Sequence, residues 1–176
     1  MKIPSEGSYA HIIRRAINDS SRLPIENSGV EKAIDIVREL IESARRSVVI
    51  FCRELSSDVY ATEQVALSIK LALMRRVKFQ IIIQRDKPSN DSKELLNIFE
   101  RFKDSGSVEI YSVSKDSHFS DVDVNFCLVD NKMSRVETDR ENRKGTFYAF
   151  NREISEKLQK KTAEILKSKD IVSVFI

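Results

Sequence analysis

The sequence predicts an α/β domain, a mixed β-sheet with helices on its faces. Three observations carry this reading. From Val30 to Val113, segments with apolar residues at helical spacing alternate with short β-branched runs, the rhythm of parallel strands joined by helices. From Asp123 to Phe150, three strand-like runs follow one another directly, which adds antiparallel pairing. With 41% hydrophobic residues and only 4 Gly and 3 Pro in 176, the chain has material for one core and few breakers.

Residues 1–29 read as an N-terminal arm or short helix. YAHIIRRAIND places Ile12, Ile13, Ala16 and Ile17 on one side, and SSRLPIENSG then breaks it with Pro24 and Gly29. Regular pattern begins at Val30 and fills residues 30–176. Val30, Ala33, Ile34, Val37, Leu40, Ile41 and Ala44 recur at helical spacing. The pair Arg45-Arg46 suits the negative pole at that helix's C-terminus. SVVIFC is too short and too β-branched for a helix and reads as a buried strand. A second helix over Thr62–Arg76 turns Val65, Ile69, Ala72 and Leu73 inward, VKFQIII is the next strand, and QRDKPSND is a loop. SKELLNIFERFKDSG gathers Leu95, Ile98, Phe99 and Phe102 on one helical face and stops at Gly106 before the strand VEIYSV. DVNFCLVD, KMSRVE and GTFYAF are three short strands, the first two joined by a turn at Asp130-Asn131. NREISEKLQKKTAEILK closes as a helix, and IVSVFI is an apolar strand or tail.

Thirty basic against 27 acidic residues leave a net charge of +3, a smaller imbalance than a DNA-coating protein carries. No apolar run approaches the ~18 residues of a membrane span, and the start lacks a signal-peptide block. Cys52 and Cys127 each sit inside an apolar run, as reduced, packed thiols of a cytoplasmic protein do. His11 and His118 are too few for a histidine-rich metal site. No P-loop, G-x-G-x-x-G, G-x-S-x-G, C-x-x-C or H-E-x-x-H occurs, so no cofactor and no metal is expected.

A helix ending in Ala44-Arg45-Arg46, the strand SVVIFCRELSSDVY, a helix, the strand VKFQIIIQRD, strands around DVNFCLVDNK, then ETDRENRKGTFYAFN and a long helix together resemble one phospholipase D-like domain. The resemblance covers about residues 30–176 and lies in the order and spacing of elements. It implies a His-x-Lys-x4-Asp signature followed by Gly-Ser-x-Asn, with two such signatures facing each other across one site. One His there attacks phosphorus and the other acts as general acid. Aligned on Asp130, the His position falls on Asp123 and the Lys position on Asn125. Gly-Ser-x-Asn falls on Glu137-Thr138-x-Arg140. A carboxylate at Asp123 repels a phosphodiester and forms no phosphohistidine, and Asn125 brings no charge to it. The sequence is therefore similar to a degenerate member of that superfamily.

Several residues remain as candidates. His118, in the polar segment KDSHFSDVDVN, is the one histidine near the ancestral site and reads first as a loop residue. Asp121, Asp123, Asp130, Glu137 and Asp139 could gather at strand ends around a divalent cation. Asp121 and Asp123, two apart on a strand, would share a face. Solvated acids paired with Lys132, Arg135 and Arg140 explain the same residues. Arg140, Arg143, Lys144 and Arg152 surround Phe147, Tyr148 and Phe150, a mixture that can hold a nucleic acid. Strand alternation nevertheless sends Phe147 and Ala149 one way and Tyr148 and Phe150 the other. Lysines on the closing helix, interspersed with Glu153, Glu156 and Glu164, read as a solvated face. Arg53 follows the first strand, at the sheet end where α/β ligands commonly lie.

The expected protein is a catalytically degenerate phospholipase D-like module that binds nucleic acid, a nucleotide or a protein and regulates rather than catalyses. A rebuilt phosphodiesterase or nuclease using His118, or a metal on Asp123 and Asp130, is the rival. An accessory subunit of a larger defence or repair complex is the third reading. The resemblance also implies a homodimer, with the 9–18 helix or IVSVFI buried in its interface.

Overall fold

The computed structural model describes residues 7–84 and 92–174. The loop read at 84–91 falls, beyond Gln84, outside those residues, as do residues 1–6 and the last two of IVSVFI. Thirteen elements follow in order: α1 (Tyr9–Asn18), β1 (Ile25–Asn27), α2 (Val30–Ser43), β2 (Ser47–Cys52), α3 (Glu63–Met74), β3 (Lys78–Ile83), α4 (Lys93–Glu100), β4 (Val108–Val113), β5 (Asn125–Val129), β6 (Met133–Asp139), β7 (Lys144–Tyr148), α5 (Arg152–Leu166) and β8 (Ile171–Ser173). The strands form one eight-stranded sheet in the order β1-β7-β6-β5-β2-β3-β4-β8. β2, β3 and β4 are parallel to one another and every other pairing is antiparallel. This is the mixed sheet flanked by helices that the alternation predicts.

Strand alternation divides the core in two. Val48, Ile50, Cys52, Cys127, Val129 and Phe147 face the layer made by α1 to α4. Val49, Phe51, Ile82, Phe126 and Leu128 face α5 through Ile165. Phe51 and Phe126 lie opposite each other across the β2–β5 ladder and stack at 5.3 Å. Phe147 and Ala149 are buried while Tyr148 and Phe150 are half-buried, the expected split. Asp130 and Asn131 both adopt left-handed φ (52° and 57°), and the Lys132 N–H closes onto the Val129 carbonyl at 3.0 Å. That is the type I′ hairpin whose twist matches its strands.

Four features differ from the sequence reading. Residues 9–27 are no loose arm. Ile13 is fully buried, Arg14 forks onto Glu39 and Glu42 of α2, and Ile25–Asn27 pairs with β7 as an edge strand. A three-residue strand carrying one apolar residue leaves no periodic signal. The strand read from Asp123 begins at Asn125, because the Val122 carbonyl is taken by the Gln84 amide and the Arg140 guanidinium. Asp121 and Asp123 are therefore exposed loop residues, with no strand to align them. The 92–106 helix ends at Glu100, and a 3₁₀ turn over Lys103–Ser105 leads into left-handed Gly106. Finally, β8 and α1 serve the chain's own fold, β8 by pairing with β4 and α1 through the buried Ile13, while Val172 and Ile12 stay exposed.

Candidate functional site

The sheet has two polar ends. At the carboxyl end of the parallel strands lie Arg53, Asn125, Glu137, Asp139, Arg143 and Lys144; at the opposite end lie Asp130, Lys132 and Arg152. The first end holds Asp123, Asn125, Glu137 and Arg140, positions counted from Asp130 in the sequence. Met133, Arg135 and Glu137 occupy alternate positions of β6 and turn toward the α1–α4 face. Arg135 and Glu137 are 5% and 4% exposed, too buried for lone charges, and they meet at 2.7 Å.

Each side-chain nitrogen and oxygen of this pair has a partner. Asn125, opposite Glu137 in the β5–β6 register, donates its amide to Glu137 Oε1 at 2.9 Å and accepts from the Arg53 N–H at 3.1 Å. Arg143 lies 3.5 Å from the same Oε1 and forks onto Asp58 at 2.8 and 2.9 Å. Arg135 also donates to the Arg143 carbonyl at 2.9 Å and to Asn27 Oδ1 at 3.4 Å, and Asn27 returns a bond to that carbonyl. These contacts hold Arg143 in its left-handed conformation (φ 51°). Gly145 makes the close approach possible, since a Cβ there would stand 2.6 Å from the Val136 carbonyl. A β-bulge at Thr138 then releases β6 toward the turn, where Asp139 accepts two bonds from Asn142 that lower its carboxyl pKa.

The walls are inert. Burial pushes the Cys52 thiol up, and the Cys127 thiol up to about 12 despite Arg135 nearby. Burial raises the Tyr60 hydroxyl well above its ordinary range, with the two cysteines and Glu137 adding and Arg135 opposing. None of the three is a ready nucleophile near neutral pH.

The expected site residues separate. Arg140 is spent on the Val122 carbonyl and on Gln84 at 3.2 Å, with Asp123 at 3.8 Å. Arg53 and Lys144 are exposed at the same end. Asp130 is not there at all: it sits at the far end of β5 and accepts the N–H groups of Arg45, Arg46 and Ser47 at 2.9, 2.7 and 2.9 Å. Asp123 and Asp130 flank β5 at opposite ends and cannot share a metal. Among the described residues no group of three His, Cys, Asp or Glu is placed to hold one. Arg152 is also at the far end, paired with Glu156 at 2.6 Å, so it does not join Arg140, Arg143 and Lys144. His118 is exposed with its ring 3.8 Å from that of Phe119, and among the described residues no hydrogen bond or ion pair joins it to Asn125 or Glu137. The sequence reading passed over Asn27, Asp58 and Gln84. Arg135 had a visible signal, a charge two residues from Glu137 at inward positions of an apolar strand.

Residues 29–165 match the family described as "Domain of unknown function (DUF7931)". The chain belongs to that family. No curated protein sequence matches it. The DUF7931 domain is similar in structure to the phospholipase D family member Nuc of Salmonella typhimurium, with TM-score 0.61, 13% identity and coverage of 86% of this chain and 98% of Nuc. It is similar also to NucT of Helicobacter pylori, with TM-score 0.63, 14% identity and coverage of 86% and 98%. TrmBL2, an archaeal chromatin protein whose structure is described as showing a novel mode of DNA binding, gives TM-score 0.62 and 12% identity. That match covers 88% of this chain and 55% of TrmBL2. The DUF7931 fold is phospholipase D-like. No helix among the described residues is long and apolar enough to cross a membrane.

Proposed function

We propose that this DUF7931 protein is a non-hydrolytic phospholipase D-like module that binds nucleic acid. One observation carries the first half. The position aligned with the signature glycine is Glu137, a buried carboxylate already held by Arg135 at 2.7 Å and Asn125 at 2.9 Å. A phosphodiester entering there would meet an anion where the signature has an uncharged glycine, and arginines whose charge is already matched. Asp123 and Asn125, at the His and Lys positions, supply neither a nucleophile nor a charge. The binding half rests on the net charge of +3 and on the DNA-binding chromatin protein among the structural neighbours. Association of two copies belongs to the same proposal, with Leu67 and Met74, two exposed apolar residues on the one helix α3, as the face open to it.

Incubation with labelled single- and double-stranded DNA and RNA, with and without Mg²⁺ or Mn²⁺, tests the proposal. The expected result is a salt-dependent mobility shift with intact substrate. Cleavage that disappears in His118→Ala would overturn it and establish a rebuilt site.

A further inference from the structure

The two ends of the sheet arrange their cations differently: beside the ancestral site Arg53 and Lys144 are exposed, and a larger set of exposed cations, unpaired among the described residues, lies at the opposite end. At the carboxyl end of the parallel strands, Arg135, Arg140 and Arg143 are committed to Glu137, the Val122 carbonyl and Asp58, and Asp121, Asp123, Asp139 and Glu141 surround them. At the amino end, α2, α3 and α4 each deliver the chain into the next strand through a basic turn: Arg45-Arg46, Arg75-Arg76-Val77-Lys78 and Arg101-Phe102-Lys103. The parallel register sets these turns side by side. Ser47 pairs with Lys78, and the Lys78 N–H donates to the Arg46 carbonyl at 2.9 Å. The first two turns therefore form one row across strands ~4.8 Å apart, while Lys103 of the third pairs with Glu100 at 3.8 Å.

Helix termini explain part of this row and not the rest. Arg75 reaches the carbonyls of Ile41, Glu42 and Ala44 at 3.3 to 3.5 Å, so it caps α2. Arg45, Arg46, Arg76 and Lys78 are exposed, and among the described residues no carboxylate lies within ion-pair distance of their side chains. Asp130 is turned onto the backbone N–H groups of Arg45, Arg46 and Ser47 and makes no ion pair with the Arg45 or Arg46 guanidinium. Lys132, the next strand start along the edge, adds its ammonium beside Phe150.

We propose that the amino end of the parallel strands is the nucleic-acid surface of this protein, with Arg45, Arg46, Arg76 and Lys78 contacting the phosphate backbone. This deepens the binding reading above and rests on it. It moves the contact to the opposite pole from the closed signature site. Contacts of this kind are sequence-independent and salt-sensitive.

The test compares wild type, R45Q/R46Q/R76Q/K78Q and R53Q/K144Q on a labelled DNA duplex and single strand across a salt series. Arg75 is left intact because it caps α2, and thermal unfolding checks that both variants are folded. The expected result is a loss of about tenfold or more in affinity for the quadruple variant, with a log–log salt slope shallower by about 0.9 per lost duplex contact. R53Q/K144Q should bind within about twofold of wild type. A folded quadruple variant that binds like wild type, or a loss confined to R53Q/K144Q, overturns this surface and leaves the binding reading standing. Wild type that binds no nucleic acid overturns that reading itself. Retention on phosphatidylserine vesicles with no nucleic-acid affinity does the same and assigns the row to a membrane.

Discussion

The carboxamide of Asn125 donates to the carboxylate of Glu137 at 2.9 Å across the β5–β6 ladder. The two side chains satisfy each other within a polar cluster completed by Arg135, Arg143 and Asp58.

That cluster predicts an asymmetric mutational response. Glu137→Ala strands the buried Arg135 guanidinium and should lower the unfolding free energy by about 3–5 kcal/mol. The paired change Arg135→Met with Glu137→Leu removes both charges and should recover most of it. Urea unfolding of the single and double variants measures the difference, and equal losses in both would contradict the buried-pair account.

Asp130 should behave as a structural residue. Asp130→Ala removes three charge-assisted bonds to backbone N–H groups and should destabilise the fold by about 1–3 kcal/mol. Equilibrium unfolding in urea measures the loss, and an unchanged midpoint would contradict the structural account.

Gly145 is required by contact, not by its φ. A methyl group there lies 2.6 Å from the Val136 carbonyl, so β6 and β7 would have to part next to Glu137. Gly145→Ala should cost about 1–3 kcal/mol and speed amide exchange along β7 before β2 or β3. Exchange that stays uniform would place the strain elsewhere.

Alkaline conditions should weaken the fold through the two thiols. Both folded pKa values are raised, Cys127 to about 12, whereas an unfolded thiol titrates near 8.5. The unfolded chain therefore loses protons first as pH rises, and stability is full below about pH 8.5. Above it, stability should fall by about 1.4 kcal/mol per pH unit per thiol, continuing for Cys127 until about pH 12. Cys127→Ala should flatten that slope, and an unchanged slope would point to another group.

Self-association, if it uses α3, should be sensitive to Leu67 and Met74, which are 51% and 63% exposed. Light scattering at high concentration should give a dimer mass for wild type and a monomer mass for L67K/M74K. A dimer that survives the double substitution excludes this face.

Much of the fold was legible because its signals are local. The periodicity of Val30–Ala44, the run SVVIFC and the Asp130-Asn131 turn each specify their element without reference to the rest. The site was legible only in part. Counting from Asp130 found Asn125 and Glu137, yet nothing local shows that Asp130 itself serves the other end of the sheet, a fact set by the length of β5. Arg140, Arg143 and Arg152 look alike along the chain, and their fates diverge because β7 carries the third to the opposite pole. Asn27 was out of reach, since its role exists only after β1 has paired with β7.

That last pairing also orders events during synthesis. Asn27 bonds the carbonyl of Arg143, 116 residues further on, and among the described residues β1 has no strand neighbour but β7. A nascent chain leaving the ribosome can join β2, β3 and β4 early, but it must carry β1 unpaired until β7 emerges. The interval is a window for β1 to be captured wrongly. Its length of three residues, with Pro24 just before it, makes it a poor template for any strand but its own.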